Sequence, residues 1–444
     1  MGLTGIQIFK LLPKTNCGEC GFPTCLAFAM ALAAGKAELE KCPTLPDAAK
    51  EQLGEASAPP IRQLTIGTGD YAVKVGGETV MFRHEKTFFN KPGLAILVTD
   101  TMDDAEVARR LGKMAELQYE RVGLILRPEL VAVKETGNKA RWLEIVKKVA
   151  ATPYSIILMS FDAAAMKEAL EIAKEKKPLI YAATKDNADA MGAVAKEYAC
   201  PLAVKGEGLE ALAALSEKLT GMGLKDLILD SGSRTVKEAF SDEIIIRRAA
   251  LQSRFKPLGF PTIALPCEMT DDLMKETLIA SLFIAKYAAI IVLSDFAGEN
   301  VFPLLLERLN IYTDPQRPMT TEQGIYPINN PDASSPVLVT CNFSLTYFIV
   351  TGEIENSRVP TWLCVMDTEG LSVMTAWAAG KFVADTVGPF IKKCGIADKI
   401  NHKKLVIPGY AAGILGDLEE ELPGWEITVG PREAAHIPAF LKNR

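Results

Sequence analysis

Four cysteines stand close together near the start of the chain, in Asn16-Cys17-Gly18-Glu19-Cys20-Gly21-Phe22-Pro23-Thr24-Cys25 and then Lys41-Cys42-Pro43. Their spacing is C-x2-C-x4-C-x16-C. Three thiolates in one tight loop suit one side of a cuboidal [4Fe–4S] cluster, and a distant fourth closes the cage. Gly18 and Gly21 let the backbone turn and aim N–H groups at sulfur. Proline after the last cysteine also occurs in bacterial ferredoxin patterns. A structural zinc site competes, because four thiolates suit zinc equally by number. Zinc sites usually pair two short knuckles, however, whereas here three cysteines share a loop and one stands alone. The spacing therefore favours iron–sulfur, with Cys17, Cys20, Cys25 and Cys42 as ligands. The other five cysteines (Cys200, Cys267, Cys341, Cys364, Cys394) are scattered and read as structural.

The elements that must position this chemistry follow from the rest of the chain. At 444 residues it is too long for one ordinary core. Apolar residues make up 48% and charged residues 23%, which fits folded rather than disordered chain. The net charge of −6, with no basic stripe, argues against nucleic acid and anionic membranes as partners. The longest apolar stretch, Leu282 to Leu293, includes Lys286 and is too short to span a bilayer. The first residues lack both a basic-then-apolar leader and a myristoylation pattern, so a cytoplasmic location is expected. Clustered cysteines in a reducing compartment point to metal rather than disulfides.

Residues 1–59 form the cysteine-rich unit. In 60–92, Tyr71–Val75 and Thr79–Phe82 flank Gly76-Gly77-Glu78 and predict a β-hairpin connector. From 93 to 311 the pattern alternates between short apolar runs and amphipathic helices. The runs are Leu94–Asp100, one within Val122–Val133, Tyr154–Ser160, Pro178–Thr184, Pro201–Gly206, Asp226–Gly232, Pro261–Cys267 and Ala288–Asp295. They are apolar throughout, as parallel strands covered on both faces are. Eight such units point to a (β/α)8 TIM barrel, with an open doubly wound sheet as the rival. In the second run Leu124–Leu126 and Leu130–Val133 compete for the strand. Residues 312–335, rich in Pro, Asn, Asp and Thr, read as a linker. Residues 336–444 resume the rhythm with strands at Pro336–Thr340, Thr361–Asp367, Lys404–Ile407 and Trp425–Val429. Helices are expected near Leu345–Thr351, Met374–Cys394, Tyr410–Glu420 and Arg432–Leu441, giving a small Rossmann-like α/β domain.

A cysteine-rich unit, a β/α barrel and a small β/α domain, in that order, resemble the large (gamma) subunit of the corrinoid/iron–sulfur protein of the anaerobic acetyl-CoA (Wood–Ljungdahl) pathway. The resemblance covers essentially the whole chain and rests most on Met366-Asp-Thr-Glu-Gly-Leu-Ser-Val-Met-Thr375. It implies a methyl carrier with a corrinoid cofactor and a [4Fe–4S] cluster on the four cysteines named above. It implies a small barrel-shaped subunit as heterodimer partner, with the corrinoid between the two. It also implies that a methyl group arrives from methyltetrahydrofolate through a methyltransferase and leaves to acetyl-CoA synthase. The protein is then a carrier component of a corrinoid-dependent methyltransferase system.

Under that resemblance the C-terminal domain is the corrinoid-binding one, at the carboxyl ends of its strands. Thr340 ends a strand, and Gly370, Leu371, Ser372, Val373, Met374 and Thr375 join the next strand to a helix. Glycine there permits close approach, the hydroxyls offer hydrogen bonds, and the apolar side chains suit a flat macrocycle. Thr346 starts a helix within reach of a side amide, and Ala434 leaves room for a ligand tail. The plainer reading of these residues is an ordinary strand–loop–helix corner. None of His84, His402 and His436 lies in Asp-x-His-x-x-Gly, so a base-off corrinoid without a protein imidazole on cobalt is expected. Without an axial donor Co(I) is easier to reach, and the cluster's task would be to restore Co(I) from Co(II). At the barrel's strand ends, Asp100, Asp230, Ser231, Ser233, Arg234, Glu268 and Asp295 stand where a barrel enzyme places catalysis. Two alternatives follow: an iron–sulfur barrel enzyme acting on a small anion at Arg234, or an electron-transfer subunit without corrinoid.

Overall fold

The computed structural model describes residues 5–33, 37, 41–46, 49, 59–121, 124–314 and 318–443. By its contacts the chain divides into two units, one of residues 1–118 and 127–312, the other of 119–126 and 313–444. No helix among the described residues is long and apolar enough to cross a membrane.

In the first unit, helices α1 (Gly5–Leu11) and α2 (Cys25–Ala33) pack together around Ile8, Leu12, Phe28 and Ala29. A two-stranded hairpin follows, β1 (Leu64–Ile66) with β2 (Val73–Val75). The barrel strands are β3 (Gly93–Thr99), β6 (Leu130–Lys134), β7 (Ser155–Met159), β8 (Leu179–Ala183), β9 (Leu202–Lys205), β10 (Leu227–Asp230), β11 (Ile263–Ala264) and β12 (Ile290–Leu293); β4 (Tyr119–Arg121) and β5 (Leu124–Leu126) fall between the first two in sequence but belong to the second unit. They form one parallel sheet in the order β10-β9-β8-β7-β6-β3-β12-β11. The circle closes where Leu229 bridges Thr262 in parallel and its N–H donates to the Pro261 carbonyl at 2.8 Å. Every residue of β7 and β8 is buried, which is why these strands read as unbroken apolar runs. The helices between them start on side-chain caps: Asp103, Asn138, Asp162, Thr235 and Asp272 each accept from a backbone N–H in the first turn.

The sequence reading of the connector and the structure differ in pairing. Val73–Val75 is a strand, but its partner is Leu64–Ile66 before it, not Thr79–Phe82 after it. The turn uses Gly67 and Gly69 at φ +82° and +67°. The hairpin then plugs the amino end of the barrel. Leu64, Ile66, Val73 and Val75 join Ala95, Leu130, Ile157, Leu179, Ala203, Ile228 and Ile290 in one buried cluster. The Gly67 N–H donates to Lys177 O and the Ser155 hydroxyl to Tyr71 O, at 3.0 and 2.6 Å.

The second unit holds the antiparallel pair β4 (Tyr119–Arg121) and β5 (Leu124–Leu126) and a five-stranded sheet. Leu130–Lys134 is thus the second barrel strand, and Leu124–Leu126 belongs to the other unit. The sheet consists of β13 (Gly324–Ile328), β14 (Val337–Cys341), β15 (Thr361–Met366), β16 (Lys404–Ile407) and β17 (Glu426–Val429), in the order β13-β15-β14-β16-β17. All but β13 run parallel. β13 lies inside the stretch read as linker; it contains Pro327, which an edge strand tolerates. Alternate strand residues feed two cores, one on each face. Helices α3 (Ser344–Ser357) and α4 (Ile437–Lys442) cover one face, and α5 (Val373–Ala378), α6 (Ala384–Lys393) and α7 (Leu415–Glu421) the other. The single helix read over Met374–Cys394 is broken into α5 and α6 by a turn at Gly380, φ +70°.

Candidate functional site

In the five-stranded sheet the chain order reverses between β14 and β16, and such switch points open a crevice at the carboxyl ends of the strands. A pocket of about 360 Å³ lies there, within the range of small-ligand sites. Its floor is the ends of β14 and β16, from Leu338 to Thr340 and from Val406 to Pro408. Two of the loops around it touch backbone to backbone. Gly409 N–H donates to Pro431 O, Gly430 N–H to Ile407 O, and a Cβ on Gly409 would come within 2.6 Å of Arg432 N. Only glycine at 409 lets the loops after β16 and β17 close together.

Of the nine residues expected at a corrinoid, six line this pocket: Thr340, Thr346, Ser372, Val373, Met374 and Ala434. Gly370, Leu371 and Thr375 do not. Gly370 lies at φ +76° under Pro318 and Thr320, Leu371 packs on the core, and the Thr375 hydroxyl is 3.0 Å from that of Ser372. Ile349, Val350, Tyr410, Arg432 and Glu433 also line the pocket and were not among the expected contacts. Tyr410 and Glu433 were findable as loop residues after two strands; their hydroxyl–carboxylate bond is 2.7 Å. Ile349 and Val350 sit mid-helix, where sequence alone offers no reason to choose a side. Leu345, Ile349, Met374, Trp377 and Tyr410 remain exposed, an unusual apolar concentration for one small unit. The pocket lining contains no histidine. His84 stacks on Phe82, and His402 Nε2 is 3.0 Å from Ser335 O.

None of the four N-terminal cysteines forms a disulfide. Cys25 and Cys42 are buried in one apolar cluster, Cys20 packs against it, and Cys17 is exposed. The loop that carries them turns at Gly18 and Gly21, with φ of +76° and +83° and a Gly21 N–H bond to Gly18 O. Asn16 Oδ1 accepts from the Cys25 N–H at 2.8 Å and so fixes the start of α2. Among the described residues no three His, Cys, Asp or Glu side chains are grouped tightly enough for one metal ion. Four thiolates and the two glycine turns of the loop suit an iron–sulfur cluster.

At the carboxyl end of the barrel the charges neutralise one another. The Tyr181 hydroxyl donates to Asp230 at 2.6 Å, Arg234 donates to Asp230 at 2.9 Å and also to Glu268, and Lys134 donates to Glu268 at 2.7 Å. Burial pushes the Glu268 carboxyl up, but Lys134 and Arg234 outweigh it and hold it below the usual range. Ser233 donates to Asp242, and Ser231 lies beside them. Asp295 binds Arg109. Burial likewise opposes ionisation of Asp100, yet the Thr136 hydroxyl and the N–H groups of Thr136 and Asn138 hold its carboxyl low. The cavity beside Arg234 is about 10 Å³, too small for a substrate. Arg234 is thus spent on its own carboxylates.

Residues 63–441 match the family described as "CO dehydrogenase/acetyl-CoA synthase delta subunit", and residues 12–44 match the family described as "Putative Fe-S cluster". The chain is 45% identical to the corrinoid/iron-sulfur protein large subunit of Moorella thermoacetica, over 100% of this chain and 99% of that one. It is 37% identical to the acetyl-CoA decarbonylase/synthase complex subunit gamma of Methanopyrus kandleri, over 99% and 98%. The same subunit of Archaeoglobus fulgidus is 37% identical, over 99% and 97%.

Proposed function

The chain belongs to the family of corrinoid/iron–sulfur protein large subunits, and from that premise we propose that it carries a methyl group, received from methyltetrahydrofolate through a separate methyltransferase and delivered to acetyl-CoA synthase. The observation that carries this reading is the apolar pocket at the switch point, lined by six of the residues expected at a corrinoid. When bound, a corrinoid supplies a cobalt that takes up and releases methyl, and a [4Fe–4S] cluster supplies single low-potential electrons that return cobalt to its active state. Ser372, Val373 and Met374 would border the macrocycle, with Thr340 and Thr346 offering hydroxyls to its amides. Ala434, at the turn before α4, leaves space for a tail. No histidine lines the pocket, so none of its lining residues would offer cobalt an imidazole. Cys17, Cys20, Cys25 and Cys42 would hold the cluster. The barrel would serve as a scaffold that meets a small partner subunit, because the charges around Arg234 pair with one another and the cavity beside it is only about 10 Å³.

The test is the metal content of the full chain purified without oxygen together with its partner subunit. About one cobalt and about four irons per pair of chains are expected. Iron without cobalt would overturn the methyl-carrier reading and leave an electron-transfer subunit.

A further inference from the structure

Asn342, the residue after β14, is 4% exposed and makes four side-chain hydrogen bonds. Its Oδ1 accepts from the Thr368 N–H at 2.9 Å and the Gly370 N–H at 3.0 Å, and it lies 3.0 Å from the Thr368 hydroxyl, whose one proton it shares with Leu371 O. Two of those donors are backbone amides, so the oxygen's identity is fixed, and Nδ2 is left to donate to Asp367 Oδ1 at 2.9 Å. Asp367 Oδ1 also accepts from the Glu369 N–H. One side chain therefore ties down residues 367–371, immediately before the pocket residues Ser372, Val373 and Met374.

The same residue meets the chain that enters this unit. Asn342 O accepts from the Thr321 N–H at 2.9 Å, Ser344 N–H donates to Met319 O at 2.9 Å, and Thr320 bridges Phe343. Gln323 Oε1 accepts from the Asp367 N–H. A Cβ on Gly370 would fall 2.8 Å from Thr320 Cγ2 and 3.1 Å from Pro318 O. The entering segment, Asn342 and the corner loop are thus layered in direct contact.

We propose that Asn342 is a positioning residue that couples the entering segment 318–321 to the corner loop 367–375 and so sets the wall of the pocket for its corrinoid. The proposal rests on the reading of that pocket given above. Pulling the entering segment draws on Asn342 O, and any shift of Asn342 is felt at three donors of the loop at once. The pocket wall then responds to how the chain is held upstream, although Asn342 does not itself line the pocket.

The test uses the full chain with its partner subunit, aquocobalamin as probe, and hydrogen exchange of residues 367–375. Asn342→Asp keeps the acceptor oxygens but sets a carboxylate against Asp367. At about pH 8 it is expected to weaken aquocobalamin binding about tenfold relative to the parent and to speed exchange of the loop. Toward about pH 5 one of the two carboxylates takes up a proton and donates to the other, so the ratio to the parent should shrink. Adding Asp367→Asn restores a donor–acceptor pair with the roles reversed, and both affinity and protection should return. If Asn342→Asp does not fold, Asn342→Ala replaces it, with the same weakening and no trend with pH. A loop that exchanges faster while aquocobalamin binds as in the parent overturns the coupling alone. So does a double variant that regains protection without affinity. A parent complex that takes up no aquocobalamin overturns the corrinoid reading, and the coupling falls with it.

Discussion

Glu243 is buried against Thr262, whose hydroxyl donates to it at 2.7 Å. Burial pushes its carboxyl up to about 8; the Thr262 bond and Arg247 oppose this, while Asp230 and Asp242 add to it. The unfolded chain releases this proton near the ordinary carboxyl value, the folded chain only near 8. The contribution of Glu243 to stability is therefore full at acid pH and is lost as pH rises through 8. Glu243→Gln cannot ionise, so its melting temperature should exceed the parent's by several degrees, of order 5 °C, at about pH 9 and converge with it at about pH 5. Parallel curves across that range would mean the carboxyl is ionised in the fold. Such behaviour is invisible in the sequence, because Val236–Leu251 reads as an ordinary amphipathic helix and only its packing reveals which glutamate is enclosed. The cysteines are the opposite case. Their chemistry lies in residue type and local spacing, and it was legible without any structure. Asn342 was not, because its partners lie more than twenty positions away.

Among the elements, the barrel strands were legible because burial on both faces writes itself as an unbroken apolar run. The connector hairpin was legible as a hairpin but not in its pairing, since Gly67-Thr68-Gly69 and Gly76-Gly77 offer two turns of similar quality. What decides is the barrel floor, which takes Leu64 and Ile66 as well as Val73 and Val75. Ile66→Ala should therefore cost about 3 kcal/mol in denaturant unfolding, as a core position does. A loss below about 1 kcal/mol would make the hairpin a loose cover. β13 escaped the sequence reading because an edge strand carrying proline in polar surroundings has the composition of a linker. Of the pocket, the parts on loops after strands could be read in advance. The parts on the mid-face of α3 could not, since they face the crevice only once β14 and β16 are neighbours.

For the whole molecule, the reading assigns methyl transfer to the pocket in one unit and electron supply to the thiols of the other. The two functions should then separate by mutation. Cys20→Ala should lose iron and its visible absorption, yet methyl transfer begun from chemically reduced cobalt should proceed near the parent rate. Recovery from oxidised cobalt, driven by a low-potential donor, should fall at least about a hundredfold. Loss of both activities would show that the thiols take part in every transfer.

The strands Tyr119–Arg121 and Leu124–Leu126 are counted with the second unit by their contacts, although barrel sequence surrounds them on both sides. The second unit is therefore stitched from two separate lengths of chain. During synthesis its first piece leaves the ribosome with the second barrel strand, long before Thr313 is made. A gene fragment starting at Thr313 would encode most of that unit but would lack this strand pair.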